Sequence, residues 1–418
     1  MMRSFDLPGD KSISHRALIL AAVGEGRARI RGVLPSADVA STAGVLTALG
    51  VALPPLDPSE MVIPGVGLRG LRAPSTDLDC GNSGTTARLL AGLLAGAGLP
   101  ARFIGDASLS ARPMRRVAEP LRAMGADITT SATGGLPMTL GPSALRALMW
   151  RSEVPSAQVK SALVLAGLMA GVRVDVDEPI PTRDHTERML RAAGVDVHLE
   201  GTRVVLEPAD RLALDLIEIP GDCSSAAFLI GLALLGGSPA LALRNVGVNP
   251  GRIGAIEALR RMGASIRFES ERTYGEEPVA TLIAEPSSLR AITIGGAEIP
   301  ALIDELPLLA CVAARAEGET RVTGAGELRV KESDRIRALV ENLRAIGAEA
   351  EELADGFVVC GSDRPLRGSV RTLSDHRIAM AFGVLGALPG NAITFDDPSC
   401  VLVSWPSFWD VIADATRI

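Results

Sequence analysis

The chain has 418 residues, 47% of them hydrophobic but only 3% aromatic, and carries a formal net charge of −7. That length suits two or three domains with aliphatic cores, and the lack of any basic block argues against a nucleic-acid partner. No apolar run is long enough for a bilayer span and no signal-peptide pattern stands at the start, so a cytoplasmic protein without a membrane partner is expected. Five Cys lie scattered without CxxC spacing and four His without HExxH spacing, so free thiols and no metal site are expected.

In chain order, Leu7–Arg16 (LPGDKSISHR) breaks the backbone at Pro8 and Gly9, then offers the cap residues Asp10 and Ser12 ahead of the apolar run ALILAAV. A helix opening this way exposes unpaired N–H groups and the positive end of its dipole, and Lys11 and Arg16 add two full charges there. The combination suits a phosphate or carboxylate. Five more Ala/Leu-rich runs open on polar or small clusters. They start near Thr85 (TTARLLAGLLAG), Ser156 (SAQVKSALVLAGLMAG), Ser224 (SSAAFLIGLALLG), Asp304 (DELPLLACVAARAEG) and Asp375 (DHRIAMAFGVLGALPG). Each closes on Gly and leads into a short β-like run, and each is apolar nearly all round, the mark of a buried helix.

Between consecutive members falls a second, amphipathic helix, with ends such as LRAMGADI, LRAAGVDV, LRRMGASI and LRAIGAEA. The repeating unit is therefore strand–helix–strand–helix–strand–strand, six times over, with the last copy short and the first dozen residues expected to complete it. Six units divide as three plus three. The boundary is placed near Ile219–Asp222, giving one domain over 13–221 and a second over 1–12 plus 222–418.

If the repeats share one orientation, facing domains aim the starts of the buried helices into a common cleft. The polar residues at those starts are Lys11, Ser12, Arg16, Asn82, Ser83, Gly84, Thr85, Ser156, Gln158, Asp222, Asp304, Glu305, Asp375 and Arg377. Loops ahead of the second helices add Arg112, Arg183, Lys331, Glu332 and Arg335. So many cations and helix N-termini suit small substrates with several anionic groups. Asp304 and Glu332 are the acids best placed for proton transfer. Only Lys11, Lys160 and Lys331 are Lys among 42 basic residues, and each lies near a helix start, where a compact ammonium has its use.

The blocks LPGDKSISHRALILAA, GNSGTTARLLAG, RPMRRVAEPLRAMGA, SAQVKSALVLAGL, TRDHTERML, IDELPLLA, LRVKESDRI and SDHRIAMAF, in that order, make the chain resemble the enolpyruvyl transferases. Within that family it is similar to the branch that acts on shikimate 3-phosphate. The resemblance implies an α/β fold of two similar domains, each of three βαβαββ units (an inside-out α/β barrel), with the active site in the interdomain cleft. It implies transfer of the enolpyruvyl group of phosphoenolpyruvate to the 5-hydroxyl of shikimate 3-phosphate, by addition and elimination through a tetrahedral intermediate. No metal, no organic cofactor and a monomeric state are expected. Carried over by position, Lys11, Ser12, Arg16, Ser156, Gln158, Arg183, Asp304 and Lys331 hold shikimate 3-phosphate. Lys11, Gly84, Arg112, Gln158, Arg335 and Arg377 hold phosphoenolpyruvate. Asp304, Glu332 and Lys11 are the implied proton-transfer groups, and Lys160 is a secondary candidate. Glyphosate is implied as a competitor of phosphoenolpyruvate, because Gly84 leaves that pocket unobstructed. Where some members have a late Lys, this chain has Val403 or Ser404, so that contact is absent. The sister enzyme acting on UDP-N-acetylglucosamine shares fold and donor, but its KNA-type start and reactive loop Cys are missing here. A non-catalytic scaffold on the same repeat would have no use for Asp304, Glu332 and three rare Lys at helix starts.

Overall fold

A computed structural model describes residues 2–417 as a mixed α/β protein of two compact units, each with its own aliphatic core. The first unit is Gly9–Ile219 with Thr273–Glu277, and the second takes the chain up to Pro8, Pro220–Arg272 and everything from Pro278 onward. The N-terminal crossing thus falls at Pro8–Gly9, not after residue 12. Lys11 and Ser12 already form the first turn of the helix Lys11–Val23, which Asp10 caps by accepting from the Ile13 N–H at 2.8 Å, and a helix cannot be divided from its own first turn. Residues 273–277 are a second departure, since they were expected within the second domain.

The first unit is built on three inner helices, Lys11–Val23, Gly84–Gly96 and Ala157–Ala170. Their apolar residues point in every direction because helices or sheets cover them on every side. The second and third of these pack backbone to backbone. A Cβ on Gly92 would stand 2.0 Å from the Ala162 carbonyl oxygen, and one on Gly96 2.3 Å from that of Ala166, so only glycine permits the approach. The second unit repeats the plan with Cys223–Leu234, Leu306–Ala313 and His376–Gly386; all twelve residues of the first of these are buried. Amphipathic outer helices such as Arg115–Met124 and Arg335–Ala345 alternate with the inner ones and bury only one face.

Four sheets have four strands in a common order. Leu78–Asp79 runs parallel to Ala101–Ile104, which pairs antiparallel with Met138–Leu140, and that strand with Ile128–Thr129. The two incomplete sheets are Leu216–Glu218 / Arg27–Arg31 / Met61–Pro64 and the two-stranded Arg367–Val370 / Ala392–Phe395. The N-terminal strand Arg3–Asp6 lies parallel to Leu241–Gly247 and so completes the fourth copy, not the sixth. The reason lies in the connectivity. The strand just before the fourth inner helix, Leu216–Glu218, is taken by the first copy, where it pairs with Arg27–Arg31, and the leading position of the fourth sheet is left for Arg3–Asp6. The sixth copy stays short and ends in the helix Phe408–Ala415. No helix among the described residues is long and apolar enough to cross a membrane.

Candidate active site

Each unit gathers polar side chains at the N-terminal ends of its inner helices. In the first unit, Arg16 sits on the second turn of its helix, buried at 3% exposure. Its guanidinium donates from Nε to Thr186 Oγ1 at 2.7 Å, from Nη1 to the Ser12 carbonyl at 2.9 Å and from Nη2 to Ser161 Oγ at 2.8 Å. Burial lowers its pKa to about 10; Glu187 works against that shift while the nearby Arg183 adds to it. Arg183 Nη1 reaches Ser12 Oγ at 3.3 Å, and Lys11 Nζ forms an ion pair with Asp38 at 3.0 Å. Arg16 and Arg183 are therefore joined through Ser12, with Lys11 beside it in the first helical turn, although Arg183 is 171 residues from Ser12 in sequence.

A second group in the same unit surrounds Gly84, the first residue of its helix, capped by Ser83. Arg112 Nη2 donates to Asn82 Oδ1 at 2.6 Å and Nη1 to the Asn82 carbonyl at 3.2 Å, which places the guanidinium against the start of this helix. Arg88, one turn further along, donates to Gln158 Oε1 at 2.6 Å, and Gln158 Nε2 donates to Thr85 Oγ1 at 3.0 Å. Gln158 is thereby locked by two bonds across two helices. Arg88 was not singled out from sequence; the one available signal was its place a turn after Gly84. Ser156 caps the third inner helix, and its own N–H donates to Glu178 Oε1 at 3.1 Å.

His15 belongs to neither group's surface. It is fully buried, its Nδ1 lies 2.7 Å from Thr42 Oγ1, and a hydroxyl chain runs on through Thr86 to Ser83, tying the first helix to the cap of the second. Burial first, then the charges on Lys11 and Arg16, hold its pKa well below the ordinary value, so the ring is neutral.

In the second unit the centre is Asp304, in the turn between the helices Ile299–Leu302 and Leu306–Ala313. The sequence pattern placed it at the helix start, but the helix begins at Leu306 and no side chain caps it. The carboxylate stands 3.7 Å from Arg252 and 3.8 Å from each of Lys331, Arg335 and Arg377. Arg377 Nη1 also donates to the Asp304 carbonyl at 2.8 Å. Arg335, 1% exposed, donates twice to the buried Asp375, at 2.8 and 3.1 Å, and once to Glu332 at 2.6 Å. Burial works against its charge, but Asp375 and Glu332, with Asp304 beyond them, outweigh that and raise its pKa. Asp375 additionally accepts from the Arg377 N–H and from Ser333 Oγ, so one acid orients two cations and a loop.

Arg252 is the second functional candidate not singled out from sequence. It is buried and donates to Asp222 Oδ1 at 3.3 Å and Ser224 Oγ at 2.8 Å, while Ser224 bonds Glu305. Its position in NPGRIG, a polar loop just before an outer helix, matches that of Arg112, Arg183 and Lys331 and was the signal to follow. Lys160 stands beneath the first unit's cluster, buried between Glu178 and Glu187. The Val403–Ser404 segment closes a short 3₁₀ turn, Pro398–Val403, and offers no cation of its own.

The chain matches, over residues 4–412, the family described as EPSP synthase (3-phosphoshikimate 1-carboxyvinyltransferase). It is 48% identical over 411 residues to the 3-phosphoshikimate 1-carboxyvinyltransferase of Alkalilimnicola ehrlichii, covering 98% of this chain and 92% of that protein. The enzyme of the same name from Halorhodospira halophila is also 48% identical, over 97% of this chain and 92% of its own length. Among solved structures, EPSP synthase from Acinetobacter baumannii superposes with a TM-score of 0.87 at 41% identity, covering 99% of this chain and 95% of that one. The enolpyruvyl transferase NikO from Streptomyces tendae shares the fold at a TM-score of 0.78 and 17% identity, over 99% of this chain and 94% of the other.

Proposed function

The chain belongs to the EPSP synthase (3-phosphoshikimate 1-carboxyvinyltransferase) family, and on that premise we propose how its residues divide the work. The reaction is transfer of the enolpyruvyl group of phosphoenolpyruvate to shikimate 3-phosphate, a step of the shikimate pathway towards aromatic amino acids. Addition joins the acceptor's 5-hydroxyl oxygen to C2 of phosphoenolpyruvate while C3 gains a proton and becomes a methyl group. Elimination then removes a proton from that methyl and phosphate from C2, restoring the double bond on the transferred group.

Shikimate 3-phosphate is assigned to Lys11, Ser12, Arg16, Ser156, Gln158, Arg183, Asp304 and Lys331. Arg16 and Arg183, both bonded to Ser12, with Lys11 next to it in the first helical turn, support that assignment, because a phosphate dianion wants several charged donors at once. Phosphoenolpyruvate is assigned to Lys11, Gly84, Arg112, Gln158, Arg335 and Arg377, which supply guanidinium groups for its carboxylate and phosphate. We place the enzyme in the cytoplasm and take it to act as a monomer.

Asp304 is the base that takes the 5-hydroxyl proton. Four cations within 3.8 Å favour its charged form, the form a base requires. Glu332 is assigned the proton transfer at the methylene carbon. Its bond to Arg335 also favours the charged form, and Lys11 is assigned to assist in proton transfer. The observation that carries the proposal is this cluster of cations about one carboxylate, built from residues of the family's motifs. Phosphate release from phosphoenolpyruvate that depends strictly on added shikimate 3-phosphate is the expected result. Release that proceeds equally without the acceptor would contradict it.

A further inference from the structure

Beneath the residues assigned to shikimate 3-phosphate lies a charged layer that touches no substrate group in the reading above. Lys160 Nζ is 3.0 Å from Glu178 and 3.0 Å from Glu187, and the three side chains are exposed by 2%, 1% and 0%. Burial opposes the ammonium charge, but the two carboxylates outweigh it and raise the Lys160 pKa. As a source of stability alone, such a buried cluster is a poor choice, since well-packed apolar side chains do as well or better.

Its hydrogen bonds suggest another purpose. Glu178 accepts from the Ser156 N–H at 3.1 Å and from Thr182 Oγ1 at 2.8 Å, and Lys160 donates to the Thr182 carbonyl at 3.4 Å. One carboxylate thus joins the cap of the third inner helix to the loop that ends in Arg183, two segments without regular structure of their own. Glu187 follows Thr186, the acceptor for Arg16 Nε, and is the chief negative charge opposing the loss of charge on Arg16. The cation between the two carboxylates is a compact ammonium, one of only three Lys in a chain otherwise rich in Arg.

We propose that Lys160, Glu178 and Glu187 are positioning residues that set Ser156, Arg183 and Arg16 at the spacing the acceptor's phosphate and hydroxyls require. This rests on the assignment of those three residues to shikimate 3-phosphate. The layer acts on acceptor affinity, and the donor groups Gly84, Arg112 and Arg377 lie outside its contacts.

The test uses the full-length chain and phosphate release, with each substrate varied while the other saturates, together with calorimetric binding of shikimate 3-phosphate alone. Glu178→Gln and Glu187→Gln should each raise KM and Kd for shikimate 3-phosphate about 10-fold or more, the usual cost of a lost charged hydrogen bond at Glu178 and of a broken buried ion pair at Glu187. KM for phosphoenolpyruvate should stay within about threefold, because no hydrogen bond to a donor group is removed. Thr182→Val keeps every charge and removes only the hydroxyl's bond to the Glu178 carboxylate; it should shift the same constants in the same direction by about threefold or more. A purely structural role would instead lower Tm and the active fraction while leaving both KM values alone. That result, equal rises in both KM values, or an unaltered Thr182→Val would overturn the proposal. Phosphate release that ignores shikimate 3-phosphate in the unsubstituted chain would overturn the underlying assignment instead.

Discussion

Gly84→Ala is the substitution whose consequence can be followed atom by atom. The added methyl would stand 2.9 Å from Arg88 Nη1 and 3.5 Å from Arg112 Nη1. The second distance is ordinary contact, but the first obliges the Arg88 guanidinium to retreat by about half an ångström to reach normal van der Waals separation. Arg88 is not free to retreat without effect, because the same Nη1 holds Gln158 Oε1 at 2.6 Å and Nη2 reaches the Pro113 carbonyl at 3.3 Å. Gln158 then shifts, and the methyl itself stands where phosphoenolpyruvate is proposed to meet the helix start. Misplacement by 1 Å can cost about 100-fold, so half that displacement should raise KM for phosphoenolpyruvate about tenfold. The fold should not suffer, since Ala is the better helix former by about 0.5–1 kcal/mol and no left-handed backbone is needed at this position. Phosphate-release kinetics with each substrate varied in turn, beside a thermal melt, separates the two effects. An unchanged KM for phosphoenolpyruvate with a lowered Tm would refute the reasoning.

Three further outcomes follow from the same geometry. Glyphosate should compete with phosphoenolpyruvate, raising its KM without lowering kcat; an unchanged KM for phosphoenolpyruvate at millimolar inhibitor would contradict this. Asp375→Asn removes the charge paired with the buried Arg335 and should cost about 3–5 kcal/mol in urea unfolding, as breaking one partner of a buried pair does. A loss under 1 kcal/mol would show that Glu332 alone suffices. His15 is held neutral in the fold with its pKa depressed below 6.5, so the unfolded chain takes up a proton that the native one refuses. Its contribution is present above pH 6.5 and declines as pH falls below that value. His15→Gln should therefore show a shallower loss of stability between pH 7 and 5 than the unsubstituted chain, and parallel curves would exclude the effect.

What could be read from sequence was local. Asp10, Ser83, Ser156, Asp222 and Asp375 each accept from an N–H of the first turn that follows them, and a cap needs only its neighbours to be recognised. The apolar surround of the inner helices was legible for the same reason. Strand pairing was not, because an alternating pattern says which face is buried but not which strand lies alongside. Hence Arg3–Asp6 was expected in the sixth copy and pairs in the fourth. Asp304 was found by its motif, but its setting in a turn among four cations depends on residues up to 73 positions away. Arg88 and Arg252 escaped notice because, in a chain with so many Arg, charge alone marks none of them. Glu178 was equally silent, since nothing in DVDEPIPTR announces a buried acid.

The central assignment is Asp304 as the base on the acceptor's 5-hydroxyl, and Asp304→Ala tests it most directly when turnover and calorimetric binding are measured on one preparation. The predicted result is a fall in kcat of about 10²–10⁴-fold, the worth of a general base, with shikimate 3-phosphate still bound. Near-normal kcat in that variant would contradict the account.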